Sequence, residues 1–278
     1  MAKLPTTVRS YPGMEQNAAA GDVERTLEEI RIQGYSILEG VISGAEASDI
    51  HDQLLALWAK QEQEFGRERL LELGEHGTHR GLLIEDDRYV RMAAHPRILD
   101  VVDRLIGETA ILNLQNASAA FPHVQHFQSA FHRDFAKDFT ATKPLSLNAF
   151  WCIDDFTLET GATQVVPFSH AFAELPSDAY IEKHSVTVLA PAGSVIFWDS
   201  LLLHRTGYNS TERARFGINH MYTRPFLKQQ IDFPEFLKNR IDVESRLGQL
   251  FGFWTIPPKS VVEFRVSPGS RTYRGGQG

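Results

Sequence analysis

Cysteine, long apolar runs and clustered positive charge are all scarce in this chain of 278 residues. Cys152 is the single cysteine, which excludes an internal disulfide and any cysteine-rich zinc or iron–sulfur site and fits a reducing cytosol. No apolar stretch has membrane-spanning length, and the amino-terminal residues lack the apolar core of a signal peptide, so we expect a cytoplasmic protein with no membrane partner. A net charge of −7 without a basic run argues against nucleic acid as a partner.

The length is enough for one large core, because all-β domains with helical additions often reach this size undivided. Proline and glycine punctuate residues 1–20, which we interpret as an irregular amino-terminal arm. Residues 21–266 are predicted to form a single domain with a helical insert at about 225–255. The glycine-rich residues 267–278 are predicted to form a flexible tail.

Capping signals and apolar periodicity predict three helices in the first part of the chain. The first starts at Asp22 and ends before Gly34. Ser43 and Glu46 make a capping box for the second, and residues 95–107 carry the third. We expect the first two helices to pack on one outer face of a sheet and the third to have a structural role.

The charged, glycine-bearing segment 65–87 lies between two of these helices. We interpret it as a mobile, solvated connection, with an entrance lid as the alternative. His51, on the second predicted helix, is expected to be exposed.

His132 and Asp134 are two residues apart, so on an extended segment their side chains point to the same face. Phenylalanines that recur every four residues between positions 127 and 139 would instead suit the buried face of a helix. On a helix the two side chains would diverge by about 200° and could not share a metal. Pro122 upstream, residues 143–144 downstream and the aromatic content favour the strand.

A second imidazole, His204, ends an apolar run over 193–204 and would complete a triad of two histidines and one carboxylate. Such a triad leaves open positions on Fe(II), although affinity alone would favour copper or zinc. After a turn, Arg215 begins a predicted strand, where its guanidinium could bind a carboxylate in bidentate fashion. This position suits a dicarboxylate co-substrate that chelates the metal at its other end.

These residues together resemble the phytanoyl-CoA dioxygenase family of Fe(II)/2-oxoglutarate-dependent oxygenases. The resemblance spans about residues 95–255 and is far more specific than any single motif. It implies a mainly β fold, a double-stranded β-helix or cupin-like jelly roll, with flanking α-helices and iron at its mouth. The matching features are His132-x-Asp134, the blocks 148–163, 166–170 and 193–204, and Arg215.

The resemblance implies that His132, Asp134 and His204 are the catalytic residues and hold the metal. Fe(II) is then the cofactor, and 2-oxoglutarate and dioxygen are co-substrates. Arg215 would pair with the far carboxylate of 2-oxoglutarate. His220, five positions after Arg215, is predicted to face the other way on the same strand.

Three further residues are candidate cofactor contacts on the same resemblance. Gln115 lies on a predicted strand over 110–118, and an exposed edge-strand amide is the alternative. Phe150 would form a wall beside the metal, or could be plain core. Thr163 would direct its hydroxyl toward the co-substrate.

The implied reaction couples the conversion of 2-oxoglutarate to succinate and carbon dioxide with oxidation of an unactivated C–H bond, by hydroxylation or another outcome. Asp134 argues against halogenation, because halogenating relatives lack this carboxylate. The phenylalanine-rich motif and the aromatic segment at about 225–255 favour a small, apolar or polycyclic substrate such as a natural-product intermediate.

The aromatic segment has three interpretations: cover for the core, a wall of the substrate site, which we prefer, and a contact between subunits. The third interpretation is compatible with a homodimer.

Two other functions also remain. One is a cupin-like metalloenzyme that does not use 2-oxoglutarate, which would leave Arg215 without an anion. The other is a non-catalytic jelly-roll protein that binds a small molecule.

Overall fold

The computed structural model carries no bound groups, and the predicted arm over 1–20 lies outside the residues that it describes. The carboxyl-terminal residues 273–277, part of the predicted tail, contact the domain: the Arg274 guanidinium lies 4.2 Å from the centre of the Trp254 ring, and the Gln249 amide donates to Gln277 over 3.1 Å. The described residues are 21–135, 139–265 and 273–277.

In chain order, helices precede, separate and follow the strands. The predicted first helix is confirmed and ends at Gly34, which adopts the left-handed conformation that glycine favours (φ 91°). The predicted capping box is confirmed too, because Ser43 accepts from the Glu46 amide and the Glu46 side chain accepts in return. The α-helices are α1 (Asp22–Gln33), α2 (Gly44–Phe65), α3 (Arg67–Glu72), α4 (Leu82–Glu85), α5 (Asp87–Ala93), α6 (Pro96–Leu105), α7 (Asp178–His184), α8 (Phe233–Leu237), α9 (Arg246–Leu250) and α10 (Val261–Phe264).

The strands form two antiparallel sheets. One has six strands in the order β1-β7-β4-β9-β3-β2, and the other has three in the order β6-β5-β8. The strands are β1 (Tyr35–Leu38), β2 (Thr78–Arg80), β3 (Ile111–Ala120), β4 (Ser146–Cys152), β5 (Gln164–Val165), β6 (Val186–Thr187), β7 (Val195–Asp199), β8 (His204–Arg205) and β9 (Arg215–Thr223).

The two faces of the six-stranded sheet pack against different partners. On one face, Trp151 of β4 and Ile218 of β9 join a large apolar core with residues of α1, α2 and α6, such as Leu54. On the other face, Phe150 packs in a smaller cluster with Val165 of the second sheet. The site described below lies on this second face, between the sheets.

The two antiparallel sheets match the core of the predicted jelly roll. The predicted proportion of strand was wrong, because more of the described residues lie in helices than in strands. Helices and not strands pack against one face of the six-stranded sheet, which raises the helical content. The three-stranded sheet packs against the other face.

Two expectations for the first part of the chain were also wrong. The segment 65–87 is not an unstructured connection, because it contains α3, β2 and α4, and β2 pairs with β3. The buried His76 anchors it: its carbonyl accepts from the Trp58 indole at 3.0 Å, and its Nε2 lies 2.8 Å from Glu62. His51 is buried, with its Nδ1 2.8 Å from Asp154.

The segment at about 225–255 contains the short helices α8 and α9. In the part of the chain that the structure describes, no helix has both the length and the apolar character to cross a membrane.

Candidate active site

The segment that carries His132 and Asp134 is neither a full strand nor a helix. His132 forms an isolated antiparallel bridge with His204, in which each backbone amide donates to the other carbonyl at 3.0 and 3.1 Å. The Asp134 amide donates to the Ser200 carbonyl at 3.0 Å. The predicted strand is thus a short extended piece held against the end of β7 and the start of β8. Phe127 and Phe139 are exposed, which rules out the buried helical stripe.

The three predicted ligands converge. One ligand atom from each of His132, Asp134 and His204 lies within 4.8 Å of the others. His204 Nε2 is 3.7 Å from Asp134 Oδ1, and the two imidazole centres are 4.4 Å apart. His204 is buried, whereas the Asp134 side chain is 20% exposed, so the cluster is open to solvent on the side of the acid.

Backbone carbonyls fix the orientation of both imidazoles. His132 Nδ1 is 2.9 Å from the Ala130 carbonyl, and His204 Nδ1 is 2.9 Å from the Leu202 carbonyl. Because a carbonyl can only accept, each Nδ1 carries a proton, and in the neutral tautomer with this contact Nε2 holds the lone pair. This is the tautomer that metal-ligating histidines adopt when they donate through the other nitrogen.

The donor set fits a divalent cation. His132 Nε2 is buried and has no hydrogen-bond partner among the described residues. Burial lowers the pKa of His204 despite the opposing effect of Asp134, so the ring is neutral and its lone pair is available. Two imidazoles and one carboxylate on one side of a common point make up the facial triad of non-haem Fe(II) sites.

Arg133 lies between the two ligands and points away from the cluster. Its guanidinium donates to the carbonyls of Ser169, Phe172 and Ala173 at 2.7, 2.6 and 3.0 Å. Sequence reasoning did not assign it a role, although the alternation that pairs His132 with Asp134 also sends Arg133 to the opposite side. Its contacts hold the ligand-bearing segment against the loop that follows β5.

Arg215 is buried at the start of β9, opposite Ala120 of β3. Its Nη2 donates to the Gly161 carbonyl at 2.8 Å, and its guanidinium lies 4.1 Å from the centre of the Phe156 ring. Among the residues that the structure describes, no carboxylate forms an ion pair with it. Burial lowers the pKa of Arg215 to about 10, so the side chain stays cationic at neutral pH and suits an anion.

Register relates Arg215 to the metal-ligand cluster. Asn219 lies four residues further along β9 on the same face, and its amide contacts Asn148, which contacts Asp134. Four residues of strand correspond to about 13 Å. Arg215 and the contacts that lead to Asp134 therefore lie on one face of the sheet, at different positions along β9.

Phe150 lies on the face of β4 that points between the sheets. Its ring centre is 5.5 Å from that of Trp198 and 5.7 Å from that of Phe156. Gly217 lies beside it on β9, where a Cβ atom would come within 2.5 Å of the Phe150 ring. The glycine therefore provides the space that this aromatic wall occupies.

Thr163 is buried two residues before Val165, which pairs with His204, and two residues after Gly161, which contacts Arg215. Along the chain, Thr163 therefore lies between the residue that pairs with the predicted ligand His204 and the residue that contacts Arg215. Gly161 has a positive φ of 74°, and a Cβ there would come within 2.8 Å of the Gly207 carbonyl oxygen.

Gln115 is not brought to the cluster. Its Oε1 accepts from the Leu83 amide at 2.7 Å, while its Nε2 donates to the Tyr89 carbonyl at 3.1 Å and lies 2.9 Å from His220. The side chain points toward the helices, so its amide is fully engaged on the wrong face for a co-substrate. Nor is it an edge residue, because β3 lies between β9 and β2. His220 faces the same way, as predicted relative to Arg215.

Asn148 and Asn219 are two further residues near the cluster to which sequence reasoning gave no role. Both lie on the face of the large sheet that carries the site. Asn148 is two positions before Phe150 on β4, and Asn219 is four positions after Arg215 on β9. Period-two spacing from the two predicted residues could therefore have found them.

Comparisons with known proteins agree with this geometry. The family model of phytanoyl-CoA dioxygenase (PhyH) matches residues 30–217. Two proteins named as uncharacterized, from Mycobacterium bovis and Mycobacterium tuberculosis, are each 36% identical over 272 residues, which cover 95% of this chain and 98% of theirs. The dioxygenase af480 of Aspergillus fumigatus is 27% identical over 235 residues, covering 79% of this chain and 74% of its own.

Among solved structures, the chain is similar to the non-heme alpha-ketoglutarate-dependent epimerase SnoN from nogalamycin biosynthesis. The TM-score is 0.55 at 23% identity, over 72% of this chain and 80% of SnoN. A second SnoN structure, in complex with Fe3+, alpha-ketoglutarate and nogalamycin RO, gives the same TM-score and identity over 83% of its length. At this identity the similarity is one of fold. With the family match covering more than half of its residues, the chain belongs to the phytanoyl-CoA dioxygenase family.

Proposed function

We propose that this protein is a non-haem Fe(II)/2-oxoglutarate-dependent oxygenase that oxidises an unactivated C–H bond of a small, apolar or polycyclic molecule. The observation that carries the proposal is the convergence of three ligand atoms within 4.8 Å, with both imidazoles oriented by backbone carbonyls. A buried guanidinium on the same face of the sheet, with no carboxylate partner among the described residues, supports the choice of a dicarboxylate co-substrate.

Each residue of the site would have a separate task. His132, Asp134 and His204 would hold the iron, which when bound supplies activation of dioxygen coupled to decarboxylation of 2-oxoglutarate. Arg215 would pair with the far carboxylate and so orient the co-substrate toward the metal. Phe150 and Thr163 would line the path between them, the ring excluding water and the hydroxyl offering a hydrogen bond.

A cavity of about 760 Å³ supports a substrate site at the other end of the sheet. Ile111 of β3 lines it together with Phe226, Leu227 and Ile256 from the segment after β9. Ile111 pairs with Thr223, at the opposite end of β9 from Arg215. The volume is in the range of pockets that bind small molecules. The residues that line this cavity do not include a metal-ligand candidate, so the substrate wall is a proposal for the carboxyl-terminal segment that rests on its volume and apolar lining.

The first test is anaerobic spectroscopy of the purified protein. Fe(II) is added to the metal-free protein and then 2-oxoglutarate, and we expect a visible charge-transfer band that requires chelation of the keto acid at iron. A protein that binds Fe(II) but gives no band would support the cupin-like enzyme that does not use 2-oxoglutarate. Failure to bind the metal would contradict the proposal altogether.

The second test identifies the reaction outcome. Metabolite fractions are screened for compounds that stimulate succinate formation, and each product is analysed by mass spectrometry. We expect a product that has gained one oxygen atom, since Asp134 supports oxygenation and not halogenation. A product of unchanged mass with inverted stereochemistry would assign epimerisation, and a mass lower by two hydrogens would assign desaturation.

A further inference from the structure

The two oxygens of the Asp134 carboxylate have different environments. Oδ1 faces the metal-ligand cluster, 3.7 Å from His204 Nε2. Oδ2 accepts a hydrogen bond from Asn148 Nδ2 at 2.8 Å. The carboxylate therefore turns one oxygen toward the cluster and the other toward the sheet.

The amide of Asn148 can adopt only one orientation. A carboxylate only accepts, so Nδ2 must face Asp134 and Oδ1 must face the other way. There Oδ1 accepts from Asn219 Nδ2 at 2.8 Å. The second hydrogen of Asn148 Nδ2 points to Ser200 Oγ, also at 2.8 Å. Asn148 is completely buried, and its side-chain oxygen and both side-chain hydrogens are engaged.

Ser200 connects this network to the backbone of the ligand segment. Its Oγ is 2.7 Å from Ser146 Oγ, and its carbonyl accepts from the Asp134 amide at 3.0 Å. Asp134 is thus held at two points, the backbone amide and Oδ2. The amide is bound to Ser200, which follows β7. Oδ2 is bound to Asn148 of β4, which in turn contacts Asn219 of β9.

We propose that Asn148 and Asn219 form an amide relay that orients the Asp134 carboxylate for one-oxygen binding of the metal. This inference rests on the proposed function, because it takes His132, Asp134 and His204 as the ligands. With Oδ2 occupied by the Asn148 hydrogen bond, Asp134 contributes one oxygen and the triad fills three positions. Bidentate binding would take a fourth position, which the co-substrate and dioxygen require. Both asparagines are positioning residues, since they act through Asp134.

The test is a titration of the metal-free protein with Co(II), a visible probe for this type of site. Affinity and the shape of the ligand-field spectrum are compared for wild type, Asn148→Leu and Asn219→Leu. Loss of a hydrogen-bonding partner of a metal ligand typically costs about 10- to 100-fold in affinity, so we expect this range for Asn148→Leu. Asn219→Leu should cost less, about three- to tenfold, because Asn148 keeps its bond to Asp134.

Asn113→Leu is the matched control. Asn113 is a buried asparagine of the same sheet whose amide donates to the Lys228 carbonyl at 3.0 Å and to Thr223 Oγ1 at 3.3 Å, without contact to Asp134. It should lower the melting temperature as much as the other substitutions and leave Co(II) affinity within about twofold. A purely structural role for Asn148 would make the two variants behave alike.

Folded Asn148→Leu with wild-type Co(II) affinity and spectrum would overturn the relay. If Asn148→Leu does not fold, Asn219→Leu decides: unchanged affinity overturns the proposal, and a loss of at least about threefold supports it. Failure of the proposed function is distinguishable, because it shows in the wild-type protein: either no Co(II) binds, or Fe(II) binds and 2-oxoglutarate gives no charge-transfer band.

Discussion

The two faces of the four central strands, β7, β4, β9 and β3, differ in how their buried side-chain polar groups are paired. On the face toward the helices, the Gln115 amide is engaged at both ends, and the Trp151 indole donates to His220 Nδ1 at 3.1 Å. On the face toward the second sheet, Asn219 Oδ1 and Trp198 Nε1 are buried without a hydrogen-bond partner in the described part of the chain. His132 Nε2, which faces the same space, has none there either.

We interpret this difference as a separation between polar residues that serve packing and those that are available to a ligand. Buried polar groups that stabilise a core are paired within the protein, because an unpaired one costs about 1–3 kcal/mol. A bound molecule or ion can complete the groups that are left open on the site face. The Arg215 guanidinium fits this description, since it has a carbonyl partner and no carboxylate among the described residues.

The largest expected effect is on the site face. His204→Ala should lower metal affinity by more than about 100-fold, since even partners outside the coordination sphere contribute about 10- to 100-fold. Isothermal titration with Co(II) measures this. His184→Ala, an exposed histidine of α7, is the control and should change nothing. Wild-type affinity in His204→Ala would place the metal elsewhere.

Buried His126 predicts a pH dependence of stability. Burial lowers the pKa of His126 to about 4 from its ordinary 6.5, and the Arg215 charge adds to the effect. The folded state therefore prefers the neutral ring, so this contribution is complete above about pH 6.5 and is lost as pH falls toward 4. At about 1.4 kcal/mol per pKa unit, it amounts to about 3 kcal/mol.

The measurement is urea unfolding of wild type and His126→Gln at pH 7 and pH 4. The difference in unfolding free energy between the two proteins should shift by about 3 kcal/mol in favour of the variant at the lower pH. A difference that does not depend on pH would mean that His126 titrates normally and is not buried as described.

Arg215→Lys separates the charge of the side chain from its hydrogen-bonding geometry, because lysine keeps the positive charge and cannot bind a carboxylate in bidentate fashion. We expect 2-oxoglutarate affinity to fall by about 10- to 100-fold, which corresponds to the strength of a hydrogen bond to a charged group. Co(II) affinity should be unchanged. Arg213→Lys, exposed and two residues earlier, is the control. Equal losses in both variants would refute the assignment.

The smallest expected effect on ligand binding belongs to Gln115→Leu, on the helix-facing side. The Leu83 amide and the Tyr89 carbonyl lose their partner, so unfolding free energy should fall by about 2 kcal/mol. Affinity for 2-oxoglutarate should stay at the wild-type value. A selective loss of co-substrate affinity with unchanged stability would show that Gln115 contacts the co-substrate. It would also contradict the difference between the two faces.

Local signals in the sequence were enough to predict much of this architecture. Caps such as Ser43 and Gly34 mark helix ends through bonds within a few residues, and the His-x-Asp spacing works because two side chains on an extended segment share a face. The orientation of His220 relative to Arg215 followed from the same alternation.

What the sequence did not predict depends on contacts between distant segments. Whether Gln115 faces helices or a ligand is decided by which side of the sheet α4 and α5 cover, and alternation alone does not tell one face from the other. The burial of His51 depends on Asp154, about a hundred residues away. The relay through Asn148 and Asn219 requires the pairing of β4 with β9.

The most direct test of the central claim is a crystal structure of the protein prepared anaerobically with Fe(II) and 2-oxoglutarate, with diffraction recorded across the iron absorption edge. We predict a single anomalous peak bound by His132 Nε2, His204 Nε2 and one oxygen of Asp134. The far carboxylate of the keto acid should lie against Arg215. A peak bound by other residues, or 2-oxoglutarate away from Arg215, would contradict the account.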